Sequence, residues 1–175
     1  WYFLRLVDHY NNVPFYEASN PDIATPKYDN GALVYDEAIQ LIADGAALLR
    51  SNMAGTRVPA SDDILFKGNL LSWRKLANTL ILRAMIRQSE VADLAYIQSR
   101  LTQIENDGAG FLTTDALANP GYSTAAGQMN SFWTSFYRTT NNNIVASYNG
   151  YRPTRFLIQK YNAVNDPRLK YIYME

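Results

Sequence analysis

The stretch Leu70-Leu71-Ser72-Trp73-Arg74-Lys75-Leu76-Ala77-Asn78-Thr79-Leu80-Ile81-Leu82-Arg83-Ala84-Met85-Ile86-Arg87-Gln88-Ser89 decides the fold class. Its apolar residues fall on nearly every side of a 3.6-residue period, and its only formal charges are Arg74, Lys75, Arg83 and Arg87. A segment that is apolar nearly all round has to be covered from several directions, so the pattern predicts a central helix that is the most buried element of the chain. Within it, Trp73-x-x-Leu76-Ala77-x-x-Leu80 is a loose version of the first-helix pattern of tetratricopeptide repeats, with alanine for the usual glycine. The second-helix part of that pattern is not in register.

Upstream, Leu33, Val34, Ala38, Leu41, Ile42, Gly45, Ala46 and Leu49 recur at steps of three and four, which predicts a helix from Gly31 to about Asn52. Asp29, Asp36 and Glu37 lie early and Arg50 late, as the helix dipole favours. Gly45 inside it costs about 1 kcal/mol against alanine, so close approach of a neighbouring helix is the expected reason for it. Antiparallel pairing of this acidic helix with the basic central one would set opposite charges along a shared rim, although burial decides the packing. Trp1 to Tyr10 places Phe3, Leu6, Val7 and Tyr10 on one face of a further helix, stopped by Asn11-Asn12-Val13-Pro14. A connector containing Pro21 and Pro26 follows to about Asn30, and Gly55 and Pro59 break the chain again. Ser61-Asp62-Asp63 then reads as a turn with solvated acids.

Downstream, Leu94, Ile97, Leu101 and Ile104 predict a helix from about Val91 to Asp107, ended by Gly108-Ala109-Gly110. Ala116 to Met129 reads as loop, Asn130 to Tyr137 as a short helix, and Thr139 to Gly150 as a polar, Asn-rich surface segment. Pro153 is expected to open a last helix through Phe156, Leu157, Ile158 and Tyr161. The expected class is therefore all-α, built of tetratricopeptide-like helix pairs with long irregular loops.

The chain has 175 residues, 47% of them hydrophobic, which predicts one folded domain rather than a disordered segment. Sixteen Lys and Arg balance sixteen Asp and Glu, so no net positive field recommends a nucleic-acid partner. The absence of cysteine excludes disulfides, thiolate metal sites and a cysteine nucleophile. His9 is the only histidine, which argues against a zinc site and leaves it a surface or capping role. No G-x-S-x-G, Walker A or H-E-x-x-H motif occurs, so neither a catalytic residue nor a cofactor is expected. No signal peptide or uncharged membrane-spanning run is present. A start at Trp1 inside an apolar run, and a close on Tyr171-Ile172-Tyr173-Met174-Glu175 without capping chemistry, read as residues 1–175 of a longer chain.

Thirteen Tyr, seven Phe and three Trp are the remaining unusual feature. Tyr122, Trp133, Phe136, Tyr137, Tyr148 and Tyr151 lie in or beside the polar loops, where ring faces could pack on the C–H surface of a sugar or peptide while asparagine amides donate and accept. Trp133, Tyr137, Tyr148 and Asn142 are the candidate ligand-binding residues. The competing reading is that these rings pin long loops to the helices.

Four segments, in order, carry a resemblance. Val7-Asp8-His9-Tyr10-Asn11-Asn12-Val13-Pro14-Phe15-Tyr16-Glu17-Ala18 resembles "D-x-Y-G-D-V-P-Y-x-E-A", with Asn-Asn where Gly-Asp is usual. Pro26-Lys27-Tyr28-Asp29 resembles a "PKYD" stretch, and the run from Asp63 to Arg87 tracks "D-x-x-Y-x-G-D-x-x-x-W-x-K-x-A-N-S-L-x-L-R-x-A-x-R". Asn165-Asp166-Pro167-Arg168-Leu169 matches "NDPRL". The chain thereby resembles the SusD/RagB family of outer-membrane nutrient-binding lipoproteins of Bacteroidetes, in its SusD-like, starch-binding-associated branch.

That resemblance implies a single helical piece of a longer SusD-like chain. It also implies a surface-exposed outer-membrane lipoprotein that binds an oligosaccharide, without turnover, and hands it to a SusC-like TonB-dependent transporter. Contact with the membrane would run only through an N-terminal lipid anchor that these residues do not include. Two alternatives stand beside it: binding of an oligopeptide, as in some branches of the family, and a helical scaffold that only docks to a protein partner.

Overall fold

The computed structural model describes residues 1–51, 55 and 57–173. Seven α-helices are found among them and no strand: α1 Tyr2–Tyr10, α2 Gly31–Ser51, α3 Leu70–Arg87, α4 Leu94–Asp107, α5 Ser131–Phe136, α6 Arg155–Ala163 and α7 Arg168–Tyr173. The chain divides into two compact units, Trp1–Ala118 with α1 to α4 and Asn119–Glu175 with α5 to α7.

In the first unit α3 packs most extensively against α2. The end of α2 (Leu48, Leu49) meets the start of α3 (Leu70, Trp73), while Tyr35 near the start of α2 adjoins Leu80 and Ala84 of α3, so the two helices run antiparallel. The core joins Leu4 of α1, Tyr35, Ala38, Ile39 and Ala43 of α2, Ile81, Ala84 and Met85 of α3, and Ile104 of α4. Small residues at Ala38, Ala43 and Ala84 let the helix backbones approach while Ile39 and Ile81 fill the space between them.

Several expectations are corrected in detail. On α1 the buried residue is Leu4, flanked by Phe3 and Val7, while Leu6 (41% exposed) and Tyr10 (72%) face out. The helix rests on its 3–4–7 edge, one of two faces its apolar residues permit. On α2 the buried stripe runs Val34, Tyr35, Ala38, Ile39, Ala43 and Ala46, and leaves Leu33 and Leu41 exposed. With seven buried residues α2 exceeds α3, which has four, so α3 is covered from more sides but mostly to half depth. Asn52, the expected end of α2, lies outside the described residues.

Gly45 meets no neighbouring helix: a methyl group there would touch nothing within 4 Å among the described residues. The α2–α3 rim of opposite charges is also absent among the described residues. Arg74 of α3 pairs with Asp107 of α4 at 3.0 Å, Arg87 with Asp8 of α1, and Asp36 of α2 with Arg100 of α4. The charged side chains of α2 and α3 that form ion pairs thus reach other helices instead of each other. Burial acts to raise the Asp36 carboxyl, but hydrogen bonds from Tyr96 and Arg100 prevail and hold it below its ordinary value.

The family-like segments prove to be joints. Asn11 adopts φ +64°, Asn12 Oδ1 accepts from the Gly31 N–H at 3.0 Å, and the Asp29 carboxylate accepts from Phe15 and Tyr16 N–H, so both ends of the 11–30 connector are pinned together. The expectation of solvated turn acids holds for Asp62 and fails for Asp63. The half-buried Asp63 carboxylate accepts from the N–H groups of Leu65, Phe66 and Gly68 and from the Trp73 indole at 2.8 Å. Desolvation acts to raise its pKa, yet the Gly68, Trp73, Leu65 and Phe66 donors together hold it down to about 2. Asn69 then caps α3 through Ser72 N–H, and Gly108, left-handed at φ +73°, ends α4 as expected.

Candidate functional site

The second unit is organised around α5. Asn130 Oδ1 caps this short helix by accepting from Phe132 and Trp133 N–H. The four-residue step then stacks side chains in two rows, because residues i and i+4 share a helical face. Trp133 meets Tyr137 edge-to-face at 4.5 Å, and Phe132 meets Phe136 at 4.7 Å.

The Asn-rich segment closes back on this helix. Arg138 and Ile144 form an antiparallel bridge, Thr139 N–H donates to Asn143 O at 2.8 Å, and Val145 N–H donates to Tyr137 O at 3.1 Å. The reversal needs a left-handed residue, and Asn142 supplies it at φ +62°, a conformation asparagine tolerates. A turn of 3-10 helix, Ala146–Asn149, is tied down by the Ser147 hydroxyl donating to Ser135 O. This brings Tyr148 to 5.6 Å from Tyr137, and Tyr151 edge-to-face on Phe136 at 5.0 Å.

Trp133, Tyr137 and Tyr148 therefore form one continuous row of rings, of which Trp133 is 45% exposed. Asn142 joins them through its backbone: its carbonyl accepts from Arg138, whose guanidinium lies 5.1 Å from the Tyr137 ring centroid. Tyr122 stands apart, in a loop turned by Asn119, with no ring stacked on it among the described residues. Phe132, 71% exposed, was not singled out from the sequence, although its four-residue step to Phe136 repeats that of Trp133 to Tyr137.

The last part of the unit differs from expectation at its helix boundaries. Pro153 does not open α6: Thr154 caps it by accepting from Leu157 N–H, and the helix begins at Arg155. A further helix, α7, follows Asn165-Asp166-Pro167, where Asp166 accepts from the backbone and side chain of Arg168. These bonds from Arg168 outweigh desolvation and hold the Asp166 carboxyl below its ordinary value.

A concavity lies in the first unit, between the end of α2 and the start of α3. It is an apolar groove of about 770 Å³ beside Gly45, lined by Leu48, Leu49, Val58, Leu70 and Trp73. No group of His, Asp and Glu side chains able to hold a metal ion occurs among the described residues. His9 sits exposed in the last turn of α1. No described helix is long and apolar enough to cross a membrane.

An all-α framework of tetratricopeptide-like helix pairs, carrying irregular loops, is the class of protein that these elements define. The family model described as starch-binding and associating with the outer membrane matches residues 1–175, and the chain belongs to this SusD-like family. Solved structures agree on the fold. An outer membrane protein of Bacteroides vulgatus, assigned to nutrient binding, is 21% identical with a TM-score of 0.67 over 96% of this chain and 35% of its own. A SusD homologue from Bacteroides fragilis is 23% identical, with a TM-score of 0.64 over 96% of this chain and 34% of its own. A chitin-binding protein is 26% identical, with a TM-score of 0.60 over 95% of this chain and 31% of its own. The chain thus spans about a third of the length of the structures it matches. Comparison with curated proteins gives no match.

Proposed function

We propose that this chain is the helical part of a longer outer-membrane protein that binds glycans at the cell surface and passes them, unmodified, to a SusC-like TonB-dependent transporter. The observation that carries the reading is the continuous row Trp133–Tyr137–Tyr148, assembled from a short helix and the segment that turns back on it, with its tryptophan half in solvent. Exposed aromatic faces suit the C–H faces of sugars, and polar groups beside them select hydroxyl orientation. The membership in a family described as starch-binding supports a carbohydrate rather than a peptide, as does the likeness to a chitin-binding protein.

The test is calorimetric titration of a panel of oligosaccharides and oligopeptides into the intact protein and into its Trp133→Ala/Tyr137→Ala variant. The expected result is weak, saturable glycan binding that the double substitution abolishes, with an unchanged helical circular dichroism spectrum. A glycan that binds both proteins equally would place the site elsewhere, and a panel with no binder would favour the docking scaffold.

A further inference from the structure

The balanced charge of the chain conceals a division. The second unit carries six Lys and Arg against two Asp and Glu, net +4, so the first unit is net −4. Between Asp115 and Asp166 the sequence contains no acidic residue at all, yet it includes Arg138, Arg152, Arg155 and Lys160. The whole aromatic row lies inside this acid-free stretch.

Two of these cations are held at the row itself. The Arg138 guanidinium lies over the Tyr137 ring and donates to the Asn142 carbonyl at 2.7 Å. Arg152 donates to the carbonyls of Tyr148 and Tyr151 and to Asn149 Oδ1 at 2.8 Å. Neither forms an ion pair among the described residues, whereas Arg74, Arg87, Arg100 and Arg168 each have a carboxylate. Arginines fixed by neutral acceptors keep their full charge and retain N–H groups for a planar anion. One lies over the Tyr137 ring and the other is bonded to the backbone of Tyr148.

We propose that this site is built for an anionic oligosaccharide, one bearing a carboxylate or sulfate on the sugar ring, whose apolar face stacks on the aromatic row while Arg138 and Arg152 take the charge. The inference rests on the glycan-binding reading above and adds the ligand's charge class. The ring row alone would accept a neutral sugar; the two unneutralised arginines and the missing acids are what favour the anion.

The experiment titrates galacturonate oligosaccharides, chondroitin sulfate oligosaccharides, maltohexaose, chitohexaose and oligothymidylate into the intact protein at about 0.05 M and about 0.5 M salt, where screening lengths differ severalfold. The expected result is that one or both anionic glycans bind about tenfold or more tighter than the neutral ones at low salt, with the advantage shrinking at high salt. Arg138→Gln and Arg152→Gln should each weaken anionic binding about tenfold, and Arg138→Lys should restore part of the loss. Because Arg138 also braces its loop, a second variant leaves that contact in place. Asn141→Asp adds a carboxylate at an exposed position next to Asn142, and should weaken anionic binding while leaving neutral binding unchanged.

Neutral glycans binding as well as anionic ones, or an anionic preference indifferent to salt and to Asn141→Asp, would overturn the charge assignment and leave the glycan site standing. Binding of no glycan of either kind would overturn both. Oligothymidylate binding tighter than every glycan would overturn the proposal in favour of a nucleic-acid surface.

Discussion

Replacing Gly45 with alanine should make this protein more stable. Gly45 sits fifteen residues into the 21-residue helix α2, with no positive φ, and a methyl group built there touches nothing within 4 Å among the described residues. The substitution therefore adds no clash and removes only the conformational freedom that glycine regains on unfolding. The full helix-propensity difference, about 1 kcal/mol, should appear as a gain in stability. For a chain of this size that corresponds to a rise in melting temperature of about 2–4 °C. Urea titration followed by circular dichroism at 222 nm, with thermal melts in parallel, measures it directly.

Gly31 supplies the opposite control. A Cβ there would overlap the Asn11 carbonyl, a backbone group that cannot swing aside, so Gly31→Ala should cost about 1–3 kcal/mol. A Gly45→Ala variant destabilised by more than about 0.5 kcal/mol, against the gain that helix propensity requires, would show that another segment occupies the groove beside α2. It would restore the close-approach explanation that the structure overturns.

Other outcomes follow from the Asp63 joint. Trp73→Ala should destabilise by about 2–3 kcal/mol, below the range of a fully buried tryptophan, because its ring is half-buried and borders the groove; a loss under about 1 kcal/mol would refute its place in the α2–α3 packing. The carboxyl of Asp63 titrates at about 2 in the folded protein, below its ordinary value of 3.8. Its contribution to stability should thus be complete above pH 4, and lost as pH falls from about 4 towards 2. Comparing urea midpoints of the parent and Asp63→Asn between about pH 2 and pH 5 checks this, since the variant should lose part of the acid sensitivity, and parallel profiles would refute the role.

The helices were legible because their residues advertise them locally. The period of Val34, Ala38, Ile42 and Ala46, the apolar run at Leu70–Ile86 and the stop at Gly108 each act within a few residues. So did α6, although it begins at Arg155 after the Thr154 cap rather than at Pro153, while α7 is too short for any period to show.

The aromatic candidates were legible as residue types at a four-residue step, but their assembly was not. Tyr148 reaches Tyr137 only because Asn142 turns the chain at positive φ and Ser147 ties the returning segment to Ser135. Arg138 and Arg152 do not stand out in a sequence with equal numbers of acids and bases, because only the folded chain shows that neither meets a carboxylate among the described residues.

Sequence by itself determined the all-α class, the order of the main helices and the supply of aromatic residues in and beside the polar loops, because periodicity and residue type are read along the chain. Tertiary structure alone decided which of two possible faces α1 and α2 bury, which arginines find a carboxylate, that Asp63 is a joint rather than a solvated acid, and that Gly45 borders open space among the described residues. Those outcomes depend on what lies across the core, where the competing faces of one helix differ by a few methyl groups and the partner settles the choice.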